Sequence, residues 1–198
     1  MNSDQGSSLI LVTGGARSGK STFAENLAEQ SGKNVTYLAT ARVDDQEMRE
    51  RVDRHRVRRP KTFCTVEEPL QPHLVLEDMA DSNSLVLLDC LTLLVSNRIL
   101  ADLDQHGAIR QGEDIFADDD ILEAAGERVL EYMKTLSEAA CKCPAEVVVV
   151  TNEVGMGIVP NYPVARVFRD YSGRSNQVVA AAADQVWLVV CGIPQRFK

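Results

Sequence analysis

The sequence predicts an α/β fold in which a mostly parallel sheet carries helices on both faces. Five apolar runs have the length of strands, and stretches with helical patterning separate them. The runs are continuous rather than alternating, which is typical of strands that are buried on both faces. Strands that alternate with helices favour parallel pairing, because each helix returns the chain to the same edge of the sheet.

These elements follow one another in a single domain that we expect to span residues 1–198. The predicted strands cover residues 9–13, 35–39, 85–89, 146–151 and 185–190. The predicted helices cover 21–31, a stretch that begins at 44, 91–101 and 118–141, and an alanine-rich stretch at 177–184 precedes the last strand. Gly32 closes the first helix, and Asp44 with Glu47 three residues later has the pattern of a capping box.

The charge balance excludes some classes of partner. Lys and Arg number 21 against 29 Asp and Glu, which gives a formal net charge of −8. An acidic chain binds nucleic acid or an anionic membrane poorly unless its cations are gathered in one place. Residues 42–61, the basic segment, hold eight cations and five acids and therefore carry +3. We predict that this segment binds a small polyanion rather than nucleic acid, and that the acidic stretch 102–123 is a solvated loop leading into a helix.

The sequence predicts a cytoplasmic protein without a membrane span. Its apolar runs are far shorter than the roughly 20 residues that cross a bilayer, and its first residues lack the basic and apolar regions of a signal peptide. An odd number of cysteines without a Cys-x-x-Cys pair favours reduced, buried thiols over a zinc site. The cysteines are Cys64, Cys90, Cys141, Cys143 and Cys191. His73 and His106 lie in polar surroundings, and we expect both on the surface.

Residues 14–21 match the pattern G-x-x-x-x-G-K-[ST] of a phosphate-binding loop, between a predicted strand and a predicted helix. The glycines let the backbone wrap so that its N–H groups point at phosphate oxygens, and the helix adds the positive end of its dipole. Lys20 can reach the β- and γ-phosphates, and the Ser21 hydroxyl can bind Mg²⁺. The pattern predicts a P-loop NTPase-like fold. Its predicted nucleotide contacts are Gly14, Gly15, Ala16, Arg17, Ser18, Gly19, Lys20 and Ser21.

Asp89 ends the third predicted strand, where P-loop proteins usually have a second carboxylate that acts on Mg²⁺. The competing interpretation is that Asp89 caps the helix that follows it. The residues after Asp89 and after Thr151 lack the Asp-x-x-Gly and Asn-Lys-x-Asp motifs of GTPase switch proteins. The chain is also too short for a large motor or recombination ATPase. A small kinase or a nucleotidyl transferase remains.

His55 lies in the basic segment with arginines at helical spacing. In a helix, Arg51, His55 and Arg58 or Arg59 would share one face, and Pro60 would end that helix. Arginines on such a face suit the phosphates of a nucleoside triphosphate, and they would lower the pKa of the imidazole and keep it nucleophilic. Attack of the histidine on an α-phosphate would then give a covalent nucleotidyl-enzyme. Spacing alone leaves a solvated basic helix face as the alternative.

Several longer segments carry a resemblance to a known family. They are VTGGARSGKS (12–21), LATAR and DDQEM (within 38–48), RV–H–RRP (51–60), TVEEP (65–69), LLDCLTLLVSN (87–97), VTNEVGMGIVP (150–160), RVFRDYSGRSNQ (166–177) and AAAADQVWLVVCGIP (180–194). On these segments the chain resembles the bifunctional adenosylcobinamide kinase / adenosylcobinamide-phosphate guanylyltransferase of cobalamin biosynthesis. The resemblance covers nearly the whole chain apart from the first eight residues and the acidic loop. TNEVGMGIVP and FRDYSGRSNQ do not follow from a generic phosphate loop.

The resemblance implies an enzyme with two reactions. The first phosphorylates adenosylcobinamide with ATP or GTP, and the second moves GMP from GTP onto that phosphate through a guanylated histidine, giving adenosylcobinamide-GDP and pyrophosphate. The position that matches this histidine is His55. The resemblance also accords with Mg²⁺ at Ser21 and Asp89 and implies a homotrimer. Because one domain of this length has two reactions to perform, we expect a neighbouring subunit to complete each active site. The further nucleotide contacts that it implies are Thr40, Ala41, Arg42, Val57, Arg58, Arg59, Pro60 and Glu67.

Some points stay open at the level of the sequence. The family usually has Trp near position 63, where this chain has Phe63, so a hydrogen bond from an indole would be lost. The candidates for corrinoid contacts are only the polar residues Asn152, Glu153, Asn176 and Gln177. A P-loop kinase without guanylyl transfer and a non-catalytic nucleotide-binding regulator are the competing functions.

Overall fold

The computed structural model describes residues 8–42, 46, 49–50, 52, 56–57, 59–109 and 118–198. In this part of the chain the strands are β1 (Leu9–Thr13), β2 (Asn34–Ala39), β3 (Cys64–Glu67), β4 (Ser84–Asp89), β5 (Glu146–Val150), β6 (Gln185–Val190) and β7 (Ile193–Arg196). The helices are α1 (Lys20–Gln30), α2 (Pro72–Glu77), α3 (Leu91–Gln105), α4 (Asp119–Lys142) and α5 (Pro163–Ala182).

The strands form one sheet in the order β3-β2-β4-β5-β1-β6-β7. Neighbouring strands are parallel except β6 and β7, which pair antiparallel. The prediction of a mostly parallel α/β sheet is therefore confirmed. Strand β5 lies between β1 and β4, since Val150 pairs with Val12 on one side and with Asp89 on the other. The carboxyl ends of β1 and β4 are thus two strand spacings apart.

The central strands are buried on both faces, which explains why they appear in the sequence as continuous apolar runs. Leu9 and Leu11 of β1 pack into one cluster with α2, α3, α4 and α5, whereas Ile10 and Val12 pack into a second cluster that contains α1. Successive side chains of a strand point to opposite faces. Helices therefore cover both faces, as predicted.

Several predicted boundaries differ from the observed ones. The alanine-rich stretch at 177–184 is only the end of a helix that begins at Pro163. Helix α3 continues to Gln105 rather than ending near 101, because Leu103 is fully buried in the core and Asp102 accepts hydrogen bonds from Arg128 of α4. The predicted solvated loop therefore cannot begin at 102. Residues 110–117 of that loop lie outside the described part of the chain.

Two of the predicted helices begin at an aspartate, Asp44 in one and Asp118 in the other. Asp118 is the N-cap of α4, where its side chain accepts a hydrogen bond from Ile121 N at 2.9 Å, as the capping preference of aspartate leads one to expect. The described residues 46, 49–50, 52 and 56–57 are helical. Asp44 and Glu47 lie outside the described residues.

The expectations for cysteine and histidine need correction. Cys90 and Cys143 are buried, but Cys64, Cys141 and Cys191 are exposed, and none of the five forms a disulfide bond. His106 is exposed. His73 is half-buried instead, because its ring packs edge-on against Tyr132 and its Nδ1 lies 2.9 Å from the Tyr132 hydroxyl. Within the described residues, no helix has the length and apolar composition of a membrane span.

Candidate functional site

The loop between β1 and α1 has the conformation that its sequence pattern requires. Ser18 N donates to Gly15 O at 3.2 Å, which closes a turn inside the loop. Gly19, with a φ of +97°, is the residue from which α1 starts, and Arg17 also has a positive φ of +57°. Gly15, Ala16 and Arg17 are exposed at the rim. The loop therefore presents its backbone to solvent directly before the N-terminus of α1.

The turn between β6 and β7 supports this loop from outside. Gly192 N donates to Ser18 O at 2.7 Å. A Cβ atom on Gly14 would lie 2.5 Å from Val189 O, and one on Gly19 would lie 3.1 Å from Gly192 Cα. The two loop glycines are thus required by close approach of the backbone of the C-terminal hairpin. The sequence pattern identifies these glycines but does not show which strand packs against them.

Lys20 is the buried cation of the site. Its side chain is only 8% exposed, and its ammonium donates to Gly15 O at 3.1 Å. The Lys20 charge also lies near Cys90 at the end of β4. Burial, and then the charge of Asp89, raises the pKa of the Cys90 thiol to about 12, while the charge of Lys20 acts to lower it. Lys20 and Asp89 therefore act on the same small region of the sheet edge.

Asp89 ends β4 and is half-buried. The Tyr37 hydroxyl donates to Asp89 Oδ2 at 2.6 Å. The N-cap of α3 is Cys90, and no side chain caps this helix. The cap interpretation of Asp89 is therefore wrong, and its carboxylate is available at the same edge as the phosphate loop. With one strand between them, β4 and β1 are about 10 Å apart.

Ser21 and Asp89 offer a hydroxyl and a carboxylate, which are the oxygen ligands that Mg²⁺ prefers. Ser21 is half-buried and follows Lys20 in the first turn of α1. The hydroxyls of Thr13 and Ser18, at the start of the loop and within it, are buried and have no hydrogen-bond partner among the described residues. These donors fit a site that holds phosphate and a hard cation. In the described residues no cluster of three or more His, Cys, Asp and Glu could hold a metal.

Thr40, Ala41 and Arg42 follow the end of β2 directly. The Thr40 side chain is fully buried, where its hydroxyl accepts from Cys90 N at 2.9 Å and donates to Cys90 O at 2.7 Å. Asn97 of α3 donates to Thr40 O at 2.7 Å. Ala41 is half-buried and Arg42 is exposed. The structure thus places all three at the edge of the sheet that carries the phosphate loop, and the Thr40 hydroxyl joins β2 to β4.

Part of the basic segment returns to the same edge. The Arg59 guanidinium lies 3.2 Å above the centre of the Tyr37 ring and donates to Thr65 Oγ1 at 2.8 Å. Arg56 and Glu67 form an exposed ion pair. Val57 is exposed and Pro60 is half-buried. His55 and Arg58 lie outside the described residues, so their predicted roles stay predictions.

Phe63 stands where the resemblance led us to expect a tryptophan. It is half-buried and packs against the core cluster on the α1 face. Its backbone N–H donates to Pro60 O at 3.1 Å. A ring in this position acts by packing, which a phenylalanine can do.

The structure shows a polar network at the end of β5 that the sequence analysis did not predict. Thr151 Oγ1 donates to Asn176 Oδ1 at 2.7 Å, and Asn176 Nδ2 donates to Asn152 O at 3.1 Å. Asn152 N donates to Thr92 Oγ1 at 2.7 Å. Glu153 N donates to Gly14 O at 3.1 Å, which joins this network to the phosphate loop. Asn152 and Asn176 therefore position the β5 end. Their position in two family-specific segments was the only signal in the sequence.

A phosphate loop with a buried lysine, beside a carboxylate on a neighbouring parallel strand, defines this chain as a P-loop nucleotide-binding protein. The profile of the family described as cobinamide kinase / cobinamide phosphate guanyltransferase matches residues 10–197. The chain belongs to this family, and it is an enzyme of that family.

Individual relatives agree with the family match over nearly their whole lengths. The bifunctional adenosylcobalamin biosynthesis protein CobU of Escherichia coli is 44% identical over 190 residues, which cover 96% of this chain and 99% of that protein. CobU of Salmonella typhimurium is 45% identical over 194 residues, with coverages of 96% and 99%. CobP of Pseudomonas aeruginosa is 37% identical over 188 residues, with coverages of 95% and 96%.

Proposed function

We propose that this protein phosphorylates the aminopropanol hydroxyl of adenosylcobinamide with ATP or GTP and then transfers GMP from GTP onto the new phosphate. The observation that carries the proposal is the family match over residues 10–197, in a chain whose phosphate loop holds Lys20 buried at the catalytic edge. The relatives from Escherichia coli and Salmonella typhimurium are named as bifunctional proteins of adenosylcobalamin biosynthesis, which supports two activities in one chain.

In the first reaction the hydroxyl oxygen of adenosylcobinamide attacks the γ-phosphorus of the triphosphate. The bond from that phosphorus to the bridging oxygen breaks, the nucleoside diphosphate leaves, and the hydroxyl proton passes to solvent. The protein contributes position and charge, since loop N–H groups and the Lys20 ammonium stabilise the negative charge on the transferred group. The buried position of Lys20 supports this role, because its charge acts there in a poorly solvated environment.

In the second reaction an imidazole nitrogen of His55 attacks the α-phosphorus of GTP, and pyrophosphate leaves as the phosphorus–nitrogen bond forms. A phosphate oxygen of adenosylcobinamide phosphate then attacks that phosphorus, which yields adenosylcobinamide-GDP and frees the histidine. The stacking of Arg59 on Tyr37 supports this proposal, because it anchors the basic segment at the edge that carries the phosphate loop. Thr40–Arg42, residues 57–60 and Glu67 are the further nucleotide contacts that we propose.

Mg²⁺ is the cofactor that we propose, with Ser21 and Asp89 as its protein ligands. When bound, the ion would neutralise phosphate charge and hold the phosphate groups in one orientation. The oxygen donors at these two positions support the choice of a hard cation. The Tyr37 hydroxyl would keep the Asp89 carboxylate in place through its hydrogen bond to Oδ2.

We also propose that the protein is a cytoplasmic homotrimer. Ile193 on the edge strand β7 and Phe197 just beyond it are exposed, and exposed apolar side chains at a sheet edge support association between subunits. Light scattering on the purified protein tests this part, and a monomeric mass would contradict it.

The decisive experiment is intact-mass measurement after incubation with GTP and Mg²⁺. The wild type should gain the mass of one GMP, in a bond that is labile to acid and stable to alkali, as a phosphoramidate is. The His55→Ala variant should gain nothing, whereas His106→Ala, which changes an exposed histidine on α3's C-terminal side, should gain the same mass as wild type. An adduct that persists in His55→Ala contradicts His55 as the nucleophile.

A second assay separates this function from its competitors. Transfer of the γ-phosphate to adenosylcobinamide should be lost in Lys20→Ala by two orders of magnitude or more. It should be kept in Lys33→Ala, which removes a lysine that pairs with Glu146 away from the loop. Phosphate transfer without any GMP adduct in wild type would indicate a kinase alone. Nucleotide binding without either transfer would indicate a regulator.

A further inference from the structure

The loop that follows β5 exposes an unusual set of apolar side chains. Met156, Ile158, Val159 and Tyr162 are 87%, 95%, 56% and 74% exposed. Residues 154–162, which we call the apolar loop, contain no charged residue, although charged residues make up 25% of the chain. Contiguous exposed apolar side chains of this kind mark a binding surface in soluble proteins.

Both ends of the apolar loop are fixed to the functional site and its scaffold. Glu153, the residue before it, donates its N–H to Gly14 O of the phosphate loop at 3.1 Å. At the other end Arg166 of α5 donates to Asn161 O at 2.7 Å and to Pro160 O at 3.3 Å. Ile158 is five residues from Glu153 and therefore lies within about 18 Å of Glu153. The apolar loop thus begins at a residue that is hydrogen-bonded to the phosphate loop.

The chemistry of the apolar loop indicates which of the two substrates, the nucleotide or cobinamide, it would bind. This inference rests on the proposed function. The nucleotide is a polyanion, and the cations of the site, Lys20 and the basic segment, suit it. An uncharged apolar surface offers nothing to phosphates but suits a large, weakly charged macrocycle. We propose that the apolar loop binds the corrin macrocycle of cobinamide and presents its hydroxyl to the phosphate loop.

The proposal can be tested on the enzyme with the double variant Met156→Ser/Ile158→Ser. The KM for cobinamide in the kinase reaction should rise about 10-fold or more, because two apolar contacts are removed, while kcat changes little. Formation of the GMP adduct from GTP needs no corrinoid and should be unchanged. The matched control is Leu74→Ser/Leu100→Ser, which removes two exposed apolar side chains from α2 and α3, and its KM should equal that of wild type.

A binding measurement makes the test independent of catalysis. Equilibrium dialysis with cobinamide should show the same loss of affinity in the double variant, with wild-type affinity in the control. An unchanged KM and affinity would overturn the proposal. A changed oligomeric mass by light scattering, with cobinamide affinity kept, would also overturn it and would assign the loop to contact with a second copy of the chain. Wild-type protein that binds cobinamide through the loop but forms no GMP adduct would instead contradict the proposed function and support this inference.

Discussion

The hydroxyl of Tyr37 donates a hydrogen bond of 2.6 Å to Oδ2 of Asp89, joining the ends of β2 and β4. Burial, followed by the negative charge of Asp89, raises the pKa of Tyr37 well above its usual range, so the phenol remains a donor. The Arg59 guanidinium covers the other side of this contact, 3.2 Å above the ring centre. One tyrosine therefore connects the carboxylate proposed for Mg²⁺ with the basic segment proposed for GTP.

Replacing Tyr37 with phenylalanine should separate these two connections, since the ring under Arg59 stays and only the hydroxyl is lost. We expect the free energy of unfolding to fall by about 1 kcal/mol, the usual net value of one hydrogen bond. The Mg²⁺ concentration for half-maximal kinase rate should rise several-fold, because Asp89 loses the group that orients it. Urea unfolding and a Mg²⁺ titration of the kinase rate measure the two effects.

Tyr132→Phe is the matched control. It removes a hydroxyl that lies 2.9 Å from Nδ1 of His73, in the layer between α2 and α4. It should lower stability by a similar amount and leave the Mg²⁺ titration unchanged. Equal Mg²⁺ dependence in all three proteins would show that Tyr37 does not orient a metal ligand.

The first two glycines of the phosphate loop should respond differently to the same substitution. In Gly14→Ala the new methyl group would lie 2.5 Å from Val189 O and 2.6 Å from Ser18 Oγ, and the first of these is backbone that cannot move away. We expect a loss of about 1–3 kcal/mol in stability, as for other overpacked sites, and weaker nucleotide binding. In Gly15→Ala the methyl group meets no atom within 4 Å. Thermal unfolding of the two variants should therefore differ clearly, and equal melting temperatures would refute the close approach.

Cys191 lies in the turn between β6 and β7, at a position whose backbone conformation favours a residue other than cysteine. Val190 and Ile193 pair across the hairpin, so Cys191 and Gly192 form a two-residue loop, with φ values of +52° and +80°. Two positive φ values are the requirement of a type I′ turn, in which asparagine followed by glycine is favoured. Cys191→Asn should raise the free energy of unfolding by about 0.5–1 kcal/mol, and Cys191→Val should lower it, because β-branched residues avoid this conformation. Urea unfolding checks both signs, and a stabilised valine variant would disprove the assignment.

The parts of the fold that were predictable are those where local sequence and burial agree. Strands β1, β4 and β5 are buried on both faces, so they form continuous apolar runs. Strand β3 escaped prediction because it has four residues, three of them exposed, and acquires its conformation only by pairing with β2. Strand β7 is similar, since it pairs only with β6 and is mostly exposed. Both edge strands, β3 and β7, form by pairing with another strand, and local sequence patterns do not predict such pairing.

The functional site, like the fold, has one part that the sequence predicts and one part that it does not. The phosphate loop is one continuous segment whose residues all act together, and its pattern identifies it. The contact of Tyr37 with Asp89 and that of Gly14 with Glu153 depend on strand order, because each joins residues from different strands or loops. The placement of β5 between β1 and β4 brings Glu153 to Gly14. The spacing of residues in the sequence does not indicate the order of the strands in the sheet.

Cys90 makes stability depend on pH in the alkaline range. Burial, and then the charge of Asp89, raises the pKa of its thiol to about 12 in the folded protein, whereas a cysteine in an unfolded chain titrates near 8.5. Between these values the folded protein keeps a proton that the unfolded chain has lost. The stabilising contribution is therefore complete below about pH 8.5 and is lost as pH rises towards 12, with a slope of up to about 1.4 kcal/mol per pH unit.

Cys90→Ala should remove this contribution. The stability of the variant should therefore decline less steeply than that of wild type from about pH 8.5, where the unfolded thiol titrates, to about pH 10.5. Urea unfolding at intervals across this range measures the difference in slope. Cys64→Ala is the control, because Cys64 is exposed on the edge strand β3 and the change leaves Cys90 in place. Its slope should match that of wild type. If Cys90→Ala declines as steeply as the other two proteins, Cys90 does not remain protonated beside Asp89 in the folded state.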